Sequence, residues 1–96
     1  MSVKSINVSD RQNSDTKDIT VLYFADLADD ANCHEETLTL PQSTSLMELY
    51  EQLSTRHRFS RPQSDLRVAI NDYFVKWTEG INDGDNVVFI VPVAGG

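Results

Sequence analysis

A chain of 96 residues, 40% of them hydrophobic and with a net charge of −7, has room for one domain with a modest core. The acidic balance argues against nucleic acid and anionic membrane surfaces as partners, since both recruit basic stripes; it leaves room for a basic protein partner and also serves solubility by itself. No run approaches the ~20 apolar residues that cross a bilayer, the polar start lacks the apolar region of a secretory signal, and Cys33, the single cysteine, has no disulfide or CxxC partner, so the expected compartment is the cytoplasm.

Residues 1–18 are rich in Ser, Asn, Asp and Gln, and Val3, Ile6 and Val8 are too few to build a packed element. They read as a polar, disordered or loosely attached tail. Residues 19–25, Ile-Thr-Val-Leu-Tyr-Phe-Ala, are β-branched and aromatic and predict a first strand. Residues 26–34 read as an acidic loop, with turn chemistry at Asp29-Asp30-Ala31-Asn32. Residues 35–40 alternate, Thr37 and Thr39 against Leu38 and Leu40, as the half-buried return leg of a hairpin would.

Ser45 followed three residues later by Glu48 is a capping box. Leu46, Leu49, Tyr50 and Leu53 fall at i, i+3, i+4 and i+7, one helical face. The spacing predicts a helix from 46 to 56 or 57, with Arg56, His57 and Arg58 near its end, where positive charge is favoured. A loop holding Pro62 ends it. Strands follow over 66–70 and 73–75 about a tight turn at Asn71-Asp72. Residues 76–81 connect onward, Trp77 covering one edge of the core, and Asn82-Asp83-Gly84-Asp85 is a turn before a last strand over 86–91. This order predicts an α+β fold, a mixed sheet of about five strands with one main helix packed on one face.

A catalyst acting alone finds little support. His34 and His57 are far apart, and neither sits at metal-ligand spacing. Cys33 and His34 are neighbours in sequence, which says nothing of a meeting in space. Glu35, Glu36, Glu48 and Glu51 read as solvated faces. The four glycines, Gly80, Gly84, Gly95 and Gly96, include none between a strand and a helix, so there is no phosphate loop. No metal or cofactor is expected on this chain.

Two other features stand out. One is the sheet: Val21 and Tyr23 point opposite to Leu22 and Phe24, and Val87 and Phe89 opposite to Val88 and Ile90. One helix covers one face, so Leu22, Phe24, Phe74, Val88 and Ile90 are expected to form an exposed apolar patch, a mark of an interaction site, with Phe24 and Phe74 as its anchors. The alternative is that segments 26–34 and 57–65 fold over it. The other feature is the end, Val91-Pro92-Val93-Ala94-Gly95-Gly96. Pro92 fixes φ and lacks an N–H, which ends strand pairing. Gly95 and Gly96 remove bulk where a carboxylate would enter a narrow site. The end reads as a thin arm carrying the α-carboxylate of Gly96.

Taken together, Val21-Leu22-Tyr23-Phe24-Ala25, Thr44 to Leu53, Arg67-Val68-Ala69-Ile70-Asn71, Asp83-Gly84-Asp85 and Pro92-Val93-Ala94-Gly95-Gly96 resemble, in this order, the ubiquitin-like β-grasp proteins. Among these the chain looks like the sulfur-carrier small subunits of molybdopterin synthases, over residues 19–96. The resemblance implies that a ubiquitin-activating-like adenylyltransferase uses ATP to adenylate Gly96, and that a sulfur donor turns the acyl adenylate into a thiocarboxylate. The arm then enters the large catalytic subunit, in a heterotetramer, and passes sulfur to cyclic pyranopterin monophosphate. It implies that Gly96 is the covalent carrier, Gly95 the slender residue beside it, and Phe24, Phe74, Ile90, Pro92, Val93 and Ala94 the partner contacts. The family's Phe-Pro-Pro-Val is here Ile90-Val91-Pro92-Val93, a less stiff arm, and residues 1–18 have no counterpart. Thiazole-synthesis carriers share the Ala-x-Asn, Gly-Asp and Gly-Gly elements, so carriage for thiazole or tRNA thiolation stays open. A ubiquitin-like modifier or interaction domain stays open as well.

Overall fold

The structure, a computed structural model, describes residues 15–92. Five strands form one mixed sheet in the order β2-β1-β5-β3-β4: β1 is Thr16–Tyr23, β2 Glu35–Pro41, β3 Arg67–Ile70, β4 Tyr73–Val75 and β5 Asn86–Ile90. β1 and β5 pair in parallel; the other three pairings are antiparallel. The helix α2, Leu46–His57, covers one face, and a shorter helix α1, Ala25–Ala31, joins β1 to β2. The α+β architecture is the expected one, with a second helix added.

α1 corrects the loop expected over 26–34. Leu27 and Ala28 are buried in the core, with Ala31 packed against it. That contact, rather than the propensity of an aspartate-rich turn, holds seven residues helical. Asn32 ends the helix in the left-handed conformation, φ 59°, which asparagine tolerates. Arg61 Nε donates to Asp26 Oδ2 at 2.6 Å, tying the helix start to the segment after α2.

β1 begins at Thr16, three residues before the expected start. Thr16, Lys17 and Asp18 pair with Pro41, Leu40 and Thr39 of β2, so part of the expected tail belongs to the sheet; residues 1–14 lie outside the described residues. Lys17, Ile19, Val21 and Tyr23 alternate onto the buried face.

α2 follows its capping box. The Ser45 hydroxyl accepts from the Glu48 N–H at 3.1 Å, and Glu48 Oε1 accepts from the Ser45 N–H at 2.9 Å. Leu46, Leu49, Tyr50 and Leu53 are buried against the sheet. Between β3 and β4, Asn71 and Asp72 have φ of 52° and 76°, the two positive values that a two-residue type I′ turn requires. Asn71 Nδ2 donates to Asp85 Oδ1 and its Oδ1 accepts from the Asn86 N–H, both at 2.9 Å, clamping the hairpin tip onto the start of β5.

Lys17 carries a load its sequence context does not announce. It is 2% exposed, and its ammonium donates to the carbonyl oxygens of Gln42 (2.8 Å), Thr44 (3.0 Å) and Ile81 (3.0 Å). One side chain thereby ties β1 to the turn before α2 and to the loop before β5. Burial lowers its pKa from the ordinary lysine value, and the charge of Asp85 opposes that shift. Lys17→Met leaves the Thr44 and Ile81 carbonyls buried without their donor, so a loss of about 2–4 kcal/mol is expected in urea unfolding. A variant as stable as the parent would mean that desolvating the ammonium outweighs its three hydrogen bonds.

Candidate functional site

Among the described residues, no helix lies on the face of the sheet opposite α2. Side chains on that face run in a row across four strands: Leu22 opposite Val88, Val88 opposite Ala69, and Ala69 opposite Phe74. Ile90, further along β5, faces Arg67. Leu22, Phe24, Phe74, Val88 and Ile90 line one shallow depression of about 280 Å3, together with Ala69 and Asp72. Phe24 is 56% exposed and Phe74 65%, a large apolar surface to leave in water.

Neither of the two segments that could have covered this face contributes to its lining. Leu27 and Ala28 from one, and Phe59 from the other, pack instead into the core on the α2 side. Val88 and Ala69 are themselves buried by their neighbours on the open face, although they lie outside the core cluster.

β5 lies between β1 and β3, so the chain leaves the middle of the sheet at Ile90, beside the depression, and continues through Val91 to an exposed Pro92. Strand pairing stops at Ile90, one residue earlier than expected. Of the site residues drawn from the sequence, the structure brings Phe24, Phe74 and Ile90 together and sets Pro92 just beyond them. Val93, Ala94, Gly95 and Gly96 lie outside the described residues.

Among the described residues no three His, Cys, Asp or Glu side chains come together in a way that could hold a metal ion, and no helix is long and apolar enough to cross a membrane. Glu36 is not the solvated residue expected. Its carboxylate accepts from Tyr23 Oη at 2.7 Å and Arg56 Nη1 at 2.8 Å, and lies 3.1 Å from His57 Nε2. This knot joins β1, β2 and the end of α2 on the covered side of the sheet, away from the depression. Burial raises the pKa of Glu36, but the Tyr23 and His57 hydrogen bonds and the charges of His57 and Arg56 outweigh it and hold the carboxyl below its ordinary value. Burial, and then the bond to Glu36, push the Tyr23 hydroxyl upward.

A carboxyl depressed in the folded state stabilises the fold above its unfolded pKa and loses that effect as pH falls through the folded one. Glu36→Gln is therefore expected to cost about 1–2 kcal/mol at neutral pH. The deficit should shrink as pH drops below the ordinary value of 4.5, which urea midpoints across that range would reveal. A deficit constant with pH would place the stabilisation elsewhere than in the ionised carboxylate.

Comparison with known proteins bears on this geometry. The ThiS family model matches residues 21–96. The human molybdopterin synthase sulfur carrier subunit is 27% identical over 82 residues, which cover 81% of this chain and 93% of the human protein. A putative molybdopterin converting factor, subunit 1, from Pyrococcus furiosus has a similar structure, with a TM-score of 0.70 and 30% identity over 80% of this chain and 99% of that one. SAMP1 from Haloferax volcanii, at 20% identity, shares the fold with a TM-score of 0.67 over 82% of this chain and 99% of its own. The fold common to these proteins is the ubiquitin-like β-grasp.

Proposed function

The chain belongs to the ThiS family, and from that membership we propose that it is the sulfur carrier subunit of a molybdopterin synthase. The observation that carries the reading is the 27% identity to the human molybdopterin synthase sulfur carrier subunit, spread over 93% of that protein. The ThiS family match adds to it: it runs from Val21 to Gly96 and takes in the end of β1 from Val21 to Tyr23, everything from α1 to β5 and the Gly95-Gly96 pair. The structural likeness to the Pyrococcus furiosus molybdopterin converting factor, subunit 1, supports the same reading.

The chemistry follows from the reactive group. A carboxylate is a poor acyl donor because oxide is a poor leaving group. An activating enzyme supplies a better one: a carboxylate oxygen of Gly96 attacks the α-phosphorus of ATP, pyrophosphate leaves, and the acyl adenylate forms. A sulfide-level nucleophile then attacks the acyl carbon, AMP departs and a proton is lost, leaving a thiocarboxylate. The catalytic subunit receives the arm; the thiocarboxylate sulfur bonds to a carbon of the pterin precursor, cyclic pyranopterin monophosphate, and displaces an oxygen substituent, and water then cleaves the acyl carbon–sulfur bond, which leaves the sulfur on the pterin and returns Gly96 to a carboxylate. The open face beside the arm holds the carrier on each partner in turn, with Phe24 and Phe74 as anchors and Ile90, Pro92, Val93 and Ala94 along the entry path.

Carriage for thiazole synthesis is the second reading, since Ala69-Ile70-Asn71, Gly84-Asp85 and Gly95-Gly96 fit it equally. Expression in two bacterial strains, one lacking its own molybdopterin carrier and one lacking its thiazole carrier, separates them. Restored molybdoenzyme activity without restored growth on thiamine-free medium is expected. The opposite pattern would overturn the molybdopterin assignment.

A further inference from the structure

The open face is apolar at its centre and charged at its ends. Alternation along β3 sends Val68 and Ile70 into the core and Arg67 and Ala69 to the open side. Arg67 faces Ile90 across the β3–β5 ladder. Lys76 follows Val75, whose partner is Val68, so it stands one register step past the last rung, on the far side of Arg67 from Ile90. Both residues are exposed. They occupy the corner from which the chain leaves β5 toward Pro92. At the other end of the depression stands Asp72, in the β3–β4 turn. From Arg67 to the turn is about 13 Å of strand.

Ion pairs among the described residues engage Arg56, His57 and Arg61 with Glu36 and Asp26. None of these pairs involves Arg67, Lys76 or Asp72. In a chain with 15 acidic and 8 basic residues, two neighbouring cations with no carboxylate partner among the described residues run against the overall field. Burial of an apolar patch is non-directional and permits a partner to rotate on it. A charge fixed at each end of the patch removes that freedom, because only one orientation sets unlike charges opposite each other. The arm needs such an orientation, since it must enter an active site at one defined point.

We propose that Arg67, assisted by Lys76, reads a carboxylate on the catalytic subunit that receives the arm, while Asp72 meets a basic group at the opposite end of the same contact. The partner surface is thus an apolar protrusion with an acid on the arm side and a base on the turn side. This assignment rests on the carrier function proposed above.

The test measures association of the full-length chain with the catalytic subunit of its own organism, at low and at high salt. Three variants are compared with the parent: Arg67→Glu, Phe74→Ala, and Arg58→Asp, which makes the same change of net charge at the exposed end of α2. Thermal midpoints check that each variant is folded. Arg67→Glu is expected to slow association at low salt by about tenfold or more, with the difference collapsing at high salt, while Arg58→Asp stays near the parent. Equal slowing by both reversals would reduce the effect to net charge and overturn the inference. Loss of binding in Phe74→Ala with Arg67→Glu unchanged would overturn it while leaving the carrier function standing. Failure of the parent chain to bind would overturn the function and this partner together.

Discussion

Deleting Gly96, or adding one residue after it, is expected to bring sulfur transfer to background while leaving the thermal midpoint unchanged. The two halves have separate causes. The core runs from Ile19 to Phe89, so neither change touches what holds the domain together. The reacting carbon, by contrast, moves by one residue, about 3.8 Å along the chain. A misplacement of about 1 Å can already cost a hundredfold in rate when reacting atoms must meet at contact distance. The extended variant also puts its carboxylate on an added residue in place of the second glycine of Gly95-Gly96. Transfer is read as product formed by the reconstituted synthase from the purified carrier, its activating enzyme, ATP and sulfide. Full activity in either variant is incompatible with a carboxyl-terminal carrier.

Phe89→Ala is expected to cost about 3–5 kcal/mol, a large share of the roughly 5–15 kcal/mol that holds a typical domain. Phe89 is 0% exposed. Its ring stacks on Trp77 at 5.7 Å and 11°, and meets Tyr50 edge-on at 5.2 Å. It sits in β5, between β1 and β3, so a cavity there loosens both ladders and the root of the arm at once. Phe74, on the open face, is a control of the same chemistry: Phe74→Ala should stay within about 0.5 kcal/mol of the parent. Urea unfolding of the two variants side by side gives the comparison, and equal costs would contradict the division of the sheet into a packed face and an open one.

The features legible in the sequence are those decided by neighbours in the chain. Ser45 and Glu48 are three residues apart, so their reciprocal bonds follow from the spacing alone. Alternation in β1 and β5 is equally local, and it separates Val21, Tyr23, Val87 and Phe89 from Leu22, Phe24, Val88 and Ile90, the division the sheet displays. The Asn71-Asp72 turn rests on two residue types that accept positive φ.

What escapes a reading of the sequence depends on residues distant along the chain. Lys17 meets carbonyls 25, 27 and 64 positions away, and a lysine before an apolar run looks like the end of a tail. α1 is helical because Leu27 and Ala28 find the core, against the reading of its aspartates as a turn. Their spacing with Ala31, at i, i+1 and i+4, is the signal that points to a helix. Glu36 draws its partners from β1 and α2, and nothing in a Glu-Glu-Thr run marks it as shared. Arg67 and Lys76 belong to the same class, since only the β3–β5 and β3–β4 registers place them near Ile90, where β5 ends.

The most direct measurement is the intact mass of the purified chain after incubation with its activating enzyme, ATP and sulfide. The mass should rise by the difference between one sulfur and one oxygen atom, and fragmentation should assign the gain to Gly96. An unchanged mass under conditions in which the enzyme adenylates a known carrier, or a gain located on any other residue, would contradict a thiocarboxylate-bearing carrier.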